Sequence, residues 1–421
     1  MSDSRALTLV GDYLESAASG SAEQKAQYAE LNTAVQKKLW HQVGQLLLGY
    51  LKQPALSSSL LPLQENVVSR LHAKLAPLTY VRWAVALSGL VGGGNNVAAG
   101  LAHLEATLPH LQKEAAGAGA ARVSEQDEQA VLLLQIEILR RTLSTPGVDA
   151  SAAADKLAGY WTRIERFSGV MDARVYAAYY QAHYELAKLR GNPQEYYSSA
   201  LLYLTYTPLS DLSQQAQQSL ASDIGLAALL GANIYNFGEL LQHPILASLE
   251  QSEYNWLPAL LRAFNNGSIA DFNRIYGEVK GKYPTLASNA AFLNQKLRIM
   301  TLMEMVFRLP SGKAASAAAS ADGASAVGEG QSRGRVLSFS AIASGCDVPL
   351  DQVEWLLMKA LALKVLRGSI DQVAQQVRLT WVAPRVLDKS QIQALQDRLA
   401  AWQDDVEQTA IFVENNAQAV L

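Results

Sequence analysis

The chain has 421 residues, 49% hydrophobic and 17% charged, which is more than one usual core holds and far too apolar for a disordered chain. Its formal net charge of −3, from 35 basic and 38 acidic residues, gives no general pull toward nucleic acid or an anionic membrane. The single cysteine, Cys346, excludes an internal disulfide framework and a multi-cysteine zinc site, and its default role is that of a small core residue.

At the start, MSDSRALTLVGDYLES carries an acid at Asp3 and no long apolar stretch, unlike a secretory signal. No apolar run approaches the roughly 20 residues that span a bilayer, so a soluble intracellular protein is expected. From there to about Arg308 nearly every segment reads as amphipathic helix. The first are Ala6–Ala18, Ala22–Leu51, Leu63–Leu75, Leu78–Ser88, Val97–Ala115 and Ser124–Leu143. Glycine and proline punctuate them at Ser19-Gly20, Pro54, Pro77, Gly92-Gly93-Gly94, Gly117, Gly119 and Pro146-Gly147. Ser124, with Asp127 and Glu128 behind it, has the pattern of an N-terminal cap with acids in the first turn.

Ser151–Phe167, Asp172–Arg190 and Gln194–Tyr206 follow. The last two form a helix-turn-helix unit in which Tyr176, Tyr180, His183, Tyr184 and Ala187 share a face and Gly191-Asn192-Pro193 makes the turn. Helix pairs repeating at roughly 35–40 residues predict an α-solenoid of tetratricopeptide-like pairs, although the consensus residues of that repeat are mostly absent. Ser213–Leu230, Phe237–Leu241, Ile245–Leu249, Trp256–Asn265, Ile269–Tyr276 and Leu286–Phe307 extend it, with a turn at Asn266-Gly267. The solenoid is thus expected over residues 1–310. Residues 311–334 are alanine, serine and glycine with Val327 the one large apolar side chain, and predict a disordered loop.

Residues 335–387 change period twice. Phe339–Ser344 predicts a short helix, and Asp347 offers a side-chain cap to a second helix starting near Pro349. In that second helix Val353, Leu356, Leu357, Ala360 and Leu361 make one buried stripe. Leu363–Leu366 is short, apolar and expected to stop at Gly368, and Val377–Val382 alternates like a half-buried strand until Pro384. Helix, helix, strand, loop, strand predicts a winged helix. Trp355 and Met358 lie off the buried stripe; packing against the preceding helices of the same chain is one reading of them, and with Arg378 and Thr380 of the strand they are otherwise candidates for a winged-helix interface.

Residues 388–421 read as one helix of roughly 45 Å. Ile392, Leu395, Leu399, Trp402, Val406 and Val413 form an apolar seam with a stutter at Trp402–Val406–Ala410. Asp397, Arg398, Asp404, Asp405 and Glu407 flank it. A helix this long needs a partner surface, because helical propensity alone leaves it marginal. The seam through those six residues is therefore expected to cover another helix, the alternative being that it folds back on the chain's own solenoid.

Chemistry-bearing patterns are missing. Gly92-Gly93-Gly94 lacks the lysine and hydroxyl residue of a phosphate loop, and Ser311-Gly312-Lys313 lacks the upstream glycine. His41, His72, His103, His110, His183 and His243 make no metal-binding spacing, and Cys346 has no histidine nearby in sequence. No catalytic residue, cofactor or metal is expected. DNA binding is disfavoured: the winged-helix stretch carries six bases against four acids, yet the helix that would enter the major groove begins with Asp351 and Glu354.

The order of solenoid, winged helix and long terminal helix resembles the PCI family, named for the proteasome lid, the COP9 signalosome and translation initiation factor 3. Several stretches are similar to the proteasome-lid branch of that family. They are Lys37-Lys38-Leu39-Trp40-His41-Gln42, Asn236-Phe237-Gly238-Glu239-Leu240-Leu241 with His243-Pro244, and Leu302-Met303-Glu304-Met305. Further along come Met358-Lys359-Ala360-Leu361, Gly368-Ser369-Ile370-Asp371, and Thr380-Trp381-Val382 with Pro384-Arg385-Val386-Leu387-Asp388. They fall in order along almost the whole chain. The 92–94 loop and the 311–334 insertion depart from the family, which has a short link in place of the latter.

The resemblance implies a non-catalytic scaffold in a hetero-oligomer of the cytoplasm and nucleus. Its partners would be other PCI subunits of the proteasome lid, the lid deubiquitinase pair and neighbouring regulatory-particle subunits, with no nucleic acid and no membrane. It also implies a PCI helical part over about residues 172–310, joining through winged helices, and a bundle of C-terminal helices. The same scaffold in a sister complex, the signalosome or the initiation factor, is the alternative at this point, ahead of a nucleic-acid-binding winged helix.

Overall fold

Alanine- and leucine-rich segments separated by glycine and proline have little choice but helix, and helices dominate. The computed structural model describes residues 8–14, 22–51, 60–90, 97–117, 125–145, 147–167, 169–308, 335–387 and 389–417. The expected loop at 311–334 and the cap at Ser124 lie outside these residues. Two compact units divide at Asp211/Leu212.

In the first unit α1 (Ala22–Gln36), α2 (Trp40–Leu51), α3 (Pro77–Leu90), α4 (Val97–Gly117) and α5 (Glu125–Leu143) are followed by α6 (Ala150–Arg166), α7 (Ala173–Arg190) and α8 (Pro193–Tyr206). Residues 60–74 wind as α, π and 3₁₀ turns in succession. Helices pack mainly on those nearest in sequence, the arrangement of helical repeats. Leu31, Leu47, Trp83, Leu87, Leu134 and Ile136 lie in the core. The single helix expected over Ala22–Leu51 is broken, because Lys38 takes a left-handed conformation at φ 58 and the chain reverses.

The aromatic face of α7 explains the α7–α8 pair. Tyr176 and Tyr180 both stack on Tyr206, Tyr184 meets Tyr196 and Tyr203 edge-on, and Ala187 is buried. Asn192 caps α8 by accepting from the amides of Gln194 and Glu195, ahead of a first turn that tolerates Pro193.

The second unit begins with α9 (Gln214–Leu230), capped by Ser213, then α10 (Gly238–Gln242), a 3₁₀ segment Pro244–Leu249, α11 (Trp256–Asn266), α12 (Ile269–Val279) and α13 (Ala290–Arg308). A separate turn of helix, Pro284–Ser288, takes the residues expected at the start of α13. The winged helix follows as β1 (Arg335–Ser338), α14 (Phe339–Cys346), α15 (Leu350–Ala362), β2 (Leu366–Asp371) and β3 (Gln376–Val382). Its sheet is antiparallel in the order β1-β3-β2. α16 (Lys389–Ala417) ends the described chain.

Three local expectations are corrected here. β1 was not expected; it pairs Arg335 with Leu379 and Val336 with Arg378, completing the sheet from far away in sequence. Asp347 does not cap α15: it closes α14 in the left-handed conformation (φ 51), and α15 starts behind Pro349 with no side-chain cap. Gly368 does not stop β2 but lies inside it at a register shift next to Arg367, where any Cβ would collide with the Arg378 carbonyl. The buried stripe holds: Val353, Leu356, Leu357 and Ala360 are all in the core, with Leu361 half-buried.

Candidate assembly surface

The six seam residues are all on α16 and all open to solvent, from 46% exposure at Leu395 to 66% at Trp402. From Ile392 to Asn415 every residue of the helix is exposed. At 3.6 residues per turn Ile392, Leu395, Leu399, Trp402, Val406 and Val413 fall in one band. Ile411 and Phe412, half and two-thirds exposed, stand outside that band and widen the apolar surface near the end of the helix. Their adjacency to Val413 is the signal in the sequence, which a single stripe of period 3.6 does not include.

An exposed helix has a direction only if its start is held, and the root of α16 is held by residues far away in sequence. Arg385 and Glu304 form a buried ion pair, their side chains 4% and 7% exposed, and Glu304 also accepts from Arg308 at 2.9 Å. Asn236 Oδ1 accepts from the Gly238 amide at 3.2 Å and from the Val386 amide at 3.5 Å. Gln242 Nε2 donates to the Leu387 carbonyl at 3.5 Å. Gly238 is needed for close approach, because a Cβ there would run into the Val386 side chain. Three of the stretches that carried the family resemblance, around Asn236, Glu304 and Arg385, therefore meet at one place.

The winged-helix candidates lie on α15 and β3. Trp355 is 70% exposed and Met358 46%. Trp355 lines a cleft of about 340 Å³ together with Gln295, Arg298, Val348, Gln352 and Leu356. Arg378 and Thr380 are exposed on β3, where alternation sends Val377 and Leu379 into the core. Thr380 Oγ1 donates to the Arg367 carbonyl at 3.2 Å, and the Arg367 guanidinium sits 4.6 Å from the centre of the Trp381 ring. Thr380 lines a different cleft, of about 290 Å³, with Phe307, Arg335 and Trp381.

Cys346 is buried, and burial pushes its thiol up to about 12, where no thiolate forms near neutrality. Among the described residues no group of three or more His, Cys, Asp or Glu side chains could hold a metal ion. No described helix is long and apolar enough to cross a membrane.

Comparison with known proteins returns the same order of parts. The family described as PSD13 N-terminal repeats matches residues 27–261, and the PCI domain matches residues 332–381. The chain is 37% identical over 257 residues to the 26S proteasome non-ATPase regulatory subunit 13 of Dictyostelium discoideum, covering 60% of this chain and 61% of that one. It is 30% identical to the 26S proteasome non-ATPase regulatory subunit 13 homolog A of Arabidopsis thaliana over 96% of both chains. With the 26S proteasome regulatory subunit RPN9 of Saccharomyces cerevisiae it shares 30% identity over 91% of both. The first of these matches spans less than two thirds of its relative, whereas the other two run nearly end to end. With the N-terminal repeats and the PCI domain both matched and full-length relatives covered, the chain belongs to the family of 26S proteasome non-ATPase regulatory subunit 13.

Proposed function

We propose that this chain is a non-catalytic structural subunit of the lid of the 26S proteasome regulatory particle, supporting lid assembly and so ubiquitin-dependent degradation. The observation that carries the reading is the bare apolar seam of α16 on a rigidly held root. A single chain has no reason to expose such a band over six turns unless another surface covers it. Burying its six side chains is worth on the order of 10 kcal/mol gross. Association and ordering take back a large part, and the remainder decides whether the subunit stays in the complex.

In this reading α16 joins a bundle of helices from other PCI subunits. Trp355, Met358, Arg378 and Thr380 supply winged-helix contacts to neighbours. The lid deubiquitinase pair and adjacent regulatory-particle subunits complete the surroundings, in the cytoplasm and nucleus. No ATPase, protease or deubiquitinase activity belongs to the chain itself. The family membership favours this over the signalosome or the initiation factor as the host complex.

Truncation after Val386 tests the reading. The shortened chain is expected to keep its melting temperature, because α16 is exposed from Ile392 to Asn415, and to fail to co-purify with the other regulatory-particle subunits on co-expression. Wild-type incorporation of the truncated chain would rule out the bundle role.

A further inference from the structure

Lys296, on α13, is 1% exposed and pairs with no carboxylate among the described residues. Its Nζ donates to the carbonyls of Ala228 at 2.7 Å, Leu229 at 3.1 Å and Gly231 at 2.7 Å. Two of these are the last carbonyls of α9, which have no partner inside the helix. A cation there also meets the negative end of the helix dipole. The same nitrogen lies 5.8 Å from the centre of the Tyr235 ring and 5.1 Å from that of Phe237. Burial lowers its pKa to about 7, and the ammonium with three donors and the amine with two both serve the carbonyls at 2.7 Å.

The segment so gripped runs from Gly231 to Phe237. It presents Asn236 to Val386 and leads directly into Gly238, the first residue of α10, which lies against Val386. We infer that Lys296 is a positioning residue for the assembly helix: by tying the end of α9 to the 231–237 segment, it sets the cradle that holds the root of α16. Lys296 never touches residues 383–387 in this account. It acts through Asn236 and Gly238, and Glu304 further along the same helix grips Arg385 independently. α13 therefore fixes the root at two points, one direct and one through a turn.

The bond between Arg385 and Val386 is a built-in reporter, because trypsin cuts after arginine only where the backbone can leave the fold. Opening of the root should expose it, while Arg262, inside α11, reports opening of the unit's core. In the full chain Lys296→Met is expected to speed cleavage at Arg385 about tenfold while cleavage at Arg262 changes by less than about twofold. Asn236→Ala is expected to do the same, and the double variant to be cut no faster than the quicker single one, since both act on one cradle. Equal acceleration at both sites in Lys296→Met, an unchanged rate at Arg385, or effects that multiply in the double variant would each overturn the inference. Should Lys296→Met fail to fold, Tyr235→Leu takes its place: it removes one ring from the nitrogen and is expected to speed cleavage at Arg385 by about threefold, with no change refuting the proposal. The importance of the cradle for assembly rests on the reading above. The cleavage assay uses the isolated chain, so it can fail while the truncation test succeeds, or the reverse.

Discussion

Buried polar side chains carry the local specificity of this molecule. Glu304 faces two arginines, and Arg385, 4% exposed, pairs with no other acid among the described residues. Glu304→Gln keeps the shape and removes the charge. It is expected to cost about 3–5 kcal/mol, read from the urea midpoint, because a buried guanidinium is left uncompensated. A loss below about 1 kcal/mol would mean that water reaches the pair. The histidines make a second prediction. Burial pushes His103, His183 and His243 below the usual histidine value, with Glu195 opposing the shift at His183. Ser199 spends its hydroxyl proton on the Glu195 carbonyl, so the Nδ1 of His183, 2.7 Å away, donates to it; the Nδ1 of His243 accepts from the Ile245 amide. Between their folded values and 6.5 the unfolded chain binds more protons than the folded one. Stability should therefore hold above pH 6.5 and fall as the pH drops below it. His243→Asn, which can still cap, should flatten part of that fall, and an unchanged slope would show that His243 stays neutral in both states.

Among the described helices of the second unit, α16 is exposed on every side from Ile392 to Asn415. Elsewhere each helix hides its apolar stripe, as α15 hides Val353, Leu357 and Ala360. A charge placed in the middle of the α16 seam should therefore leave the isolated chain untouched. Leu399→Asp is expected to change stability by no more than about 0.5 kcal/mol, as at ordinary surface positions, while incorporation into the regulatory particle falls at least about tenfold. A drop in melting temperature as large as that of a core substitution would show that the seam folds back onto its own chain. The winged helix has the complementary property: its sheet is closed by β1, so its stability depends on a strand that arrives from before α14.

At the scale of the whole molecule, each of the two units has a core of its own: Leu47, Trp83 and Leu134 lie in the first, Phe237, Phe264 and Met300 in the second. Each holds roughly 210 residues, within the size at which a domain folds alone. Expressed separately, 1–211 and 212–421 are each expected to melt in a single cooperative transition by circular dichroism. Non-cooperative melting of either piece would show that it borrows its core from the other. The second unit contains both the root and the seam, so it is also the piece expected to retain incorporation into the regulatory particle.

Much of this was legible in the residues because it is periodic and local. The 3.6-residue spacing of Val353, Leu357 and Leu361, the turn at Gly191-Asn192-Pro193 and the row from Ile392 to Val413 each lie within a few turns of chain, where geometry alone decides which side chains share a face. The same periodicity could not say that α16 would stay bare, since a seam folded back on its own chain has the same spacing. β1 was illegible because four residues carry no period, and its partners on β3 lie about forty residues on. The root was beyond reach for the same reason: Glu304 and Arg385 are separated by 81 positions, Asn236 and Val386 by 150. Residue types and local spacing determined the helices, the winged helix and the apolar seam. Only the tertiary structure, by bringing Glu304 to Arg385 and Lys296 to the carbonyls at the end of α9, decided where that seam is anchored.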